Sequence, residues 1–374
     1  MTAHLRHAAG SLLVVGLSGT ELTDLERAWL KLVRSAGVIL FRRNIADAQQ
    51  TRTLLNEATA LCAVNSFRCV DVEGGTVDRL REALAPMPSA QTVARAARQT
   101  GKAGLAREHG ALIAQAVRAF GFNTTLAPVL DLALPASAEV MGTRSAAAAS
   151  TDVVEYARNF LAGLAAHGVA GCGKHFPGLG GGTRDSHLET PAIGRSWRDL
   201  WREDLAPYRA LRDDLPMVMV NHAAYSHTAG KDLPASASPF WITRVLRKRI
   251  GYRGIVFSDD MEMGGILKFL PMEEAAVAAM RAGMDLLEIC HSPELILRAF
   301  EALIAESERS PAFRALLLAR ANQTARQRAR LFAVGVPAAL TVRQFEALRT
   351  RILRFGETIQ KALNAAANLE AQPA

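Results

Sequence analysis

The sequence has only four cysteines, Cys62, Cys69, Cys172 and Cys290, too widely spaced to form a metal-ligand pattern. They read as core thiols in a reducing compartment. No apolar run approaches the roughly 20 residues that a membrane-spanning helix needs, so no membrane partner is expected. The N-terminal MTAHLRHAAGSLLVVGLSGTEL has a short apolar run but no small-x-small cleavage site before the polar TEL. It is therefore read as a first β-strand rather than an export signal, and a cytoplasmic location is expected. Aromatic residues make up only 6% of the chain, and the arginine-rich stretch RALLLARANQTARQRARLF has none interleaved for stacking bases. Its charges recur at helical spacing beside Ala and Leu, as on the wet side of amphipathic helices. The net charge of +8 thus implies no nucleic-acid partner. Nor does a Gly-x-Gly-x-x-Gly turn follow the first strand, where GLSGTEL is a poor match, and this argues against an open doubly wound sheet.

What is present is apolar material in alternating blocks. Residues of hydrophobic type are 49% of the chain, enough for a large packed core. Strand-like runs occur at SLLVVGL, VILF, FRCVDV, TTLAPVLDL, GCGKHF, MVMVNH, GIVFSDD and MDLLEIC, eight in all. Segments with helical periodicity, such as DAQQTRTLLNEATALCA and VVEYARNFLAGLAAHG, lie between them. Strands apolar on both faces and separated by helices predict a parallel sheet, and eight such units predict a closed α/β (β/α)8 TIM barrel. After Cys290 the pattern is purely helical. The expected organisation is a catalytic barrel over 1–310 and a C-terminal helical extension over 311–374, packed on its outside.

The polar residues fall where strands of such a barrel end. Asp71 and Glu73 close the third strand, Asp131 the fourth, Lys174 and His175 the fifth, Asn221 and His222 the sixth, and Ser258, Asp259 and Asp260 the seventh. A single carboxylate there could be a helix cap. Five strand ends together suggest a reaction site. The stretch KHFPGLGGGTRDSHLETP adds an Asp-x-His step: Asp185 can fix the tautomer of His187, which then serves as general acid and general base. The preceding glycines give that loop freedom to swing over a substrate. A fixed carboxylate that attacks carbon is the remaining requirement, and residue chemistry alone leaves Asp259 and Asp260 level.

KHFPGxG...DSH, DVEGGTVDR, APVLD, GTRS and FSDDMEM together resemble the bacterial β-N-acetylglucosaminidases of glycoside hydrolase family three, in matching order from about Leu12 to Pro293. The resemblance implies a (β/α)8 barrel and a retaining, exo-acting hydrolase that releases terminal β-linked N-acetylglucosamine, in many members from peptidoglycan fragments. It implies Asp259 as nucleophile, Asp185 and His187 as the acid/base dyad, and Asp71, Arg79, Arg144, Lys174 and His175 as sugar contacts. The implied partner is a carbohydrate, a GlcNAc-containing glycan or muropeptide, with no metal and no organic cofactor.

Three positions depart from the family pattern. Leu179 stands where KHFPGHG is usual, Thr76 where EGGR is usual, and Val220-Asn221-His222 where Ser-Ala-His or Thr-Ala-His is usual. None removes a catalytic group; they bear on specificity. Family β-glucosidases usually carry a second α/β domain, which the helical residues after the barrel cannot supply, so the single-domain hexosaminidase branch is favoured. Rival readings are a phosphorylase using the same intermediate, a metal-dependent barrel hydrolase and a non-catalytic sugar-binding protein. The metal reading lacks a His-x-His step on strand one, and the binding-protein reading leaves Asp259 and the dyad unexplained.

Overall fold

A computed structural model describes residues 2–182 and 191–370. Its strands are β1 (Leu13–Gly16), β2 (Gly37–Leu40), β3 (Phe67–Val70), β4 (Val72–Gly74), β5 (Val77–Asp78), β6 (Thr124–Thr125), β7 (Ala170–Phe176), β8 (Met217–Val220), β9 (Ile255–Asp260) and β10 (Leu286–Ile289). Eight of them close into a barrel in the order β1-β10-β9-β8-β7-β6-β3-β2, while β4 and β5 form a separate hairpin. Every barrel ladder is parallel, for example Gly37 to Leu40 against Phe67 to Val70. The eight expected strands are all present, and the barrel is the (β/α)8 TIM barrel that their alternation with helices implies.

Two local differences have physical causes. The expected strand from Thr124 shrinks to two residues because Pro128 has no N–H for the ladder. Beyond it the segment keeps irregular contacts with β7, Cys172 N donating to the Ala127 carbonyl at 2.8 Å, a Val129–Lys174 bridge, and Leu130 N donating to the Lys174 carbonyl at 2.6 Å. At the N-terminus, Thr2–Gly10 is a helix that precedes β1. Leu5, Ala8 and Ala9 recur at helical spacing and are buried, and the Arg6 guanidinium sits 5.6 Å over the Phe300 ring of helix Pro293–Arg309.

The pleat sorts side chains into two cores. Outward-facing residues such as Val38, Val218 and Leu287 pack under the surrounding helices. Inward-facing residues, among them Ile39, Cys69, Cys172, Met219, Phe257 and Leu286, fill the barrel. Helix Pro311–Leu331 brings its end beneath the strands: Phe332 packs edge-on against Phe67 with centroids 5.1 Å apart, and Arg328 Nη1 donates to the Ala36 carbonyl at 3.2 Å. The N-terminal mouth of the barrel is thereby closed. Helix Val342–Glu370 lies on the side, where Arg351 reaches Gln115 and Phe355 stacks on His109. All four cysteines are buried and unpaired; burial pushes the Cys62 thiol up to about 11. No described helix is long and apolar enough to cross a membrane.

Candidate active site

The opposite mouth, at the C-terminal ends of the strands, holds a cavity of about 330 Å³. Asp71, Arg79, Arg144, Lys174, His175 and Asp259 all line it, although they come from five separate places in the sequence. Asp185 and His187 lie outside the described residues.

Strand irregularity lets neighbouring residues share this cavity. Consecutive residues of a regular strand face opposite sides. The β7–β8 ladder shifts register between Gly173 and Phe176, and Lys174 and His175 both reach the cavity. The β9–β10 ladder shifts between its Phe257–Leu286 and Asp260–Glu288 pairs, and Asp259 and Asp260 both line the mouth. The Lys174–His175 and Phe176–Pro177 peptides are cis. In DVEGGTVDR, Gly74 and Gly75 have φ of 90° and 64°, and a Cβ on Gly74 would lie 2.1 Å from the Pro88 carbonyl oxygen. The tight β4–β5 hairpin they permit returns Arg79 beside Asp71, whose carbonyl accepts from Arg79 N at 3.2 Å.

A buried ion-pair network forms one wall. Lys174 Nζ donates to Asp71 Oδ1 at 2.8 Å and to Glu73 Oε1 at 2.7 Å. Arg144 grips Glu73 through both oxygens, Nε to Oε2 at 2.8 Å and Nη2 to Oε1 at 2.9 Å. Burial alone would raise the Glu73 carboxyl, but Arg144 and Lys174 hold it far below the usual carboxylate range. Burial opposes the charge on Lys174, yet Asp71 and Glu73 raise its affinity for the proton. The cations therefore stay charged and fixed.

Asp131 organises the next wall. Its Oδ2 accepts from His175 Nδ1 at 2.6 Å and from the His175 backbone N–H at 3.1 Å, and Oδ1 accepts from Leu179 N at 2.7 Å. An ionised carboxylate only accepts, so Nδ1 carries the hydrogen and Nε2 turns a lone pair toward Arg144 Nη2, 3.4 Å away. Asn221 donates to the His175 carbonyl at 2.9 Å. His222, buried and held below its ordinary pKa by desolvation, donates from Nε2 to the Asp260 carbonyl at 3.0 Å and accepts from Ser236. Asn221 and His222 thus position backbone near the cavity.

The two adjacent aspartates differ. Asp260 Oδ1 accepts from Glu262 N at 3.0 Å and Cys290 N at 3.3 Å, and His291 stands 3.6 Å from its other oxygen. It ties the end of β9 to that of β10. Asp259 accepts one hydrogen bond among the described residues, from Asp260 N at 3.0 Å. Burial would raise its carboxyl, but His175, His222 and Lys174 draw it below its ordinary value, so it is ionised. A half-buried, ionised carboxylate at the cavity wall can attack an electrophilic carbon.

Sequence reasoning placed Glu73 among the strand-end polar residues without giving it a role, and did not name Glu288. Glu73 is the anion shared by Lys174 and Arg144, and Glu288 is a buried carboxyl of the cavity. The signal for Glu288 was present: a lone acid inside the apolar run MDLLEIC.

A closed α/β barrel with an ionised strand-end carboxylate and fixed cations around a small polar cavity is the layout of a barrel enzyme. Residues 4–313 match the family described as the glycosyl hydrolase family 3 N terminal domain, and the chain belongs to that family. A β-hexosaminidase of Alkalilimnicola ehrlichii is 40% identical over 287 residues, 76% of this chain and 82% of the relative. Among solved structures, a glycoside hydrolase family 3 β-N-acetylglucosaminidase from Paenibacillus sp. superposes with a TM-score of 0.84 at 31% identity, covering 93% of this chain and 68% of that one. NagZ from Neisseria gonorrhoeae superposes with a TM-score of 0.71 at 31% identity, covering 84% and 97%.

Proposed function

We propose that this chain is a retaining, exo-acting β-N-acetylhexosaminidase that releases terminal β-linked N-acetylglucosamine, with peptidoglycan-derived fragments as its substrate class. The observation that carries the reading is Asp259: ionised, half-buried, accepting from Asp260 N alone among the described residues, on the wall that also presents Asp71, Arg79, Arg144, Lys174 and His175. The relatives named as β-hexosaminidase and β-N-acetylglucosaminidase support the sugar.

In the first step Asp259 attacks the anomeric carbon as its bond to the leaving oxygen breaks, and His187, oriented by Asp185, gives that oxygen its proton. In the second, His187 takes a proton from water, the water oxygen bonds to the same carbon, and Asp259 leaves with its electron pair. Asp71, Arg79, Arg144, Lys174 and His175 bind sugar hydroxyls and the N-acetyl group. The buried ion pairs hold these donors in place before substrate arrives, so little reorganisation opposes the transition state. Four unpaired thiols support a cytoplasmic setting.

Product stereochemistry tests the mechanism. Proton NMR during hydrolysis of an aryl N-acetyl-β-glucosaminide should show the β-anomer of N-acetylglucosamine first. Initial appearance of the α-anomer would rule out the glycosyl-Asp259 intermediate, and a sugar phosphate formed only with added phosphate would indicate a phosphorylase.

A further inference from the structure

Glu288 is a carboxyl of this mouth that neither the ion-pair network nor the proposed two steps use. On β10, Leu286 belongs to the core inside the barrel, whereas Leu287 and Ile289 pack outside it. The pleat therefore turns Glu288 inward, one level above Leu286. Its backbone N–H donates to Ser258 Oγ at 2.9 Å, which fixes that level. The residue is 3% exposed and lines the cavity with Asp71, Asp259 and Asp260. Oε1 accepts from Cys290 Sγ at 3.2 Å, but Oε2 has no hydrogen-bond partner among the described residues. A buried carboxyl oxygen left unpaired is unfavourable, and in a residue that lines a binding cavity it is explained if the ligand completes it.

We propose that Glu288 contacts the substrate and determines specificity, presenting Oε2 from the barrel floor to an oxygen on the pyranose edge that faces β10. This rests on the reading of the cavity as a sugar site.

The group offers a donor and not a charge. Burial, then Asp71, Asp260 and Asp259, hold the Glu288 carboxyl well above the ordinary carboxylate range. Cys290 immediately after the strand, and Cys69 and Cys172 on β3 and β7, also face it, and burial raises all three thiols, so they add no charge. Lys174 and Arg144 are already engaged with Asp71 and Glu73. A neutral acid can accept from Cys290 through Oε1 and donate its one O–H through Oε2. It does so without setting a second negative charge beside the Asp259 nucleophile. A site that gives a buried hydrogen bond to one sugar oxygen rejects sugars lacking that oxygen.

The test compares wild type, Glu288→Gln and Glu288→Leu on aryl N-acetyl-β-glucosaminide and on its 3-, 4- and 6-deoxy analogues, with kcat and KM followed from neutral to alkaline pH. Wild type should lose about 10- to 100-fold in kcat/KM on one deoxy analogue. Glu288→Leu should lose a similar factor on the parent sugar and no longer distinguish that analogue. Glu288→Gln, which keeps a donor and an acceptor, should stay within about threefold of wild type and lack the alkaline rise in KM that ionisation of Glu288 causes in wild type. A folded Glu288→Leu that matches wild type on every sugar overturns the proposal. So does a Glu288→Gln that shows the wild-type rise in KM, a readout that stands even where the leucine variant does not fold. If wild type turns over no N-acetyl-β-glucosaminide, the functional reading itself has failed; activity in wild type with indifferent Glu288 variants defeats only the role of this residue.

Discussion

The two ends of β10 carry two buried acids treated in opposite ways. At the entry, Asp285 is saturated: Arg247 pairs with one oxygen, Arg320 Nη1 with the other at 3.0 Å, and Val256 N donates at 2.8 Å. At the exit, among the described residues, Glu288 keeps an oxygen unpaired and Asp259 accepts a single hydrogen bond, from its neighbour Asp260. The bottom is closed by Phe332 and Phe67, and the top is lined with charges that are fixed in direction but incompletely used. The fully paired Asp285 at the bottom holds the fold together, and the incompletely paired Glu288 at the top is available to a ligand.

The sharpest way to break this contrast is to exchange activity for stability at each end. Asp259→Asn should lower kcat on an aryl N-acetyl-β-glucosaminide by on the order of 10⁴-fold while leaving the thermal midpoint close to wild type, measured by calorimetry. A variant that unfolds would make Asp259 a structural residue like Asp285. The converse is Asp285→Ala, which strands Arg247 and Arg320 in the interior. It should destabilise by about 3–5 kcal/mol in urea unfolding, with kcat near wild type for the folded fraction.

Glu73 combines features of both ends, and its effect is the smallest. Its folded pKa is depressed below the ordinary 4.5 by Arg144 and Lys174, so its contribution to stability is complete above that pH and is lost as the pH falls below it. Glu73→Gln should flatten the acid limb of the stability curve by about 1.4 kcal/mol per pH unit. An unchanged limb in denaturant titrations would remove Glu73 from the network's energetics.

The barrel was legible because its evidence is local. Each strand is a short apolar run, and the helices between carry their own periodicity. Thr2–Gly10 was missed because its helical face is short and packs mainly against helices hundreds of residues later. The site was legible as a set of strand-end residues, yet their partners were not. Nothing in DVEGG says that Glu73 is the acid held by both Lys174 and Arg144, since that needs the hairpin turn and closure of the barrel. Asp131 was visible at a strand end, but its grip on His175 depends on β7 lying next to the irregular segment after Thr125. Glu288 was within reach of simple alternation: counting inward from Leu286 places an acid where an apolar residue would fill the barrel.

Asp131 binds both the imidazole of His175 and the amide of Leu179, and so joins a side chain of the cavity to the backbone that leads toward His187. One carboxylate thus serves two tasks that selection would otherwise tune apart. Libraries randomised across Lys174 to Gly182 should yield clones whose substrate preference and turnover drift together, and few in which one trait shifts alone. Altering sugar choice without slowing the enzyme would be easier from the far side of the barrel.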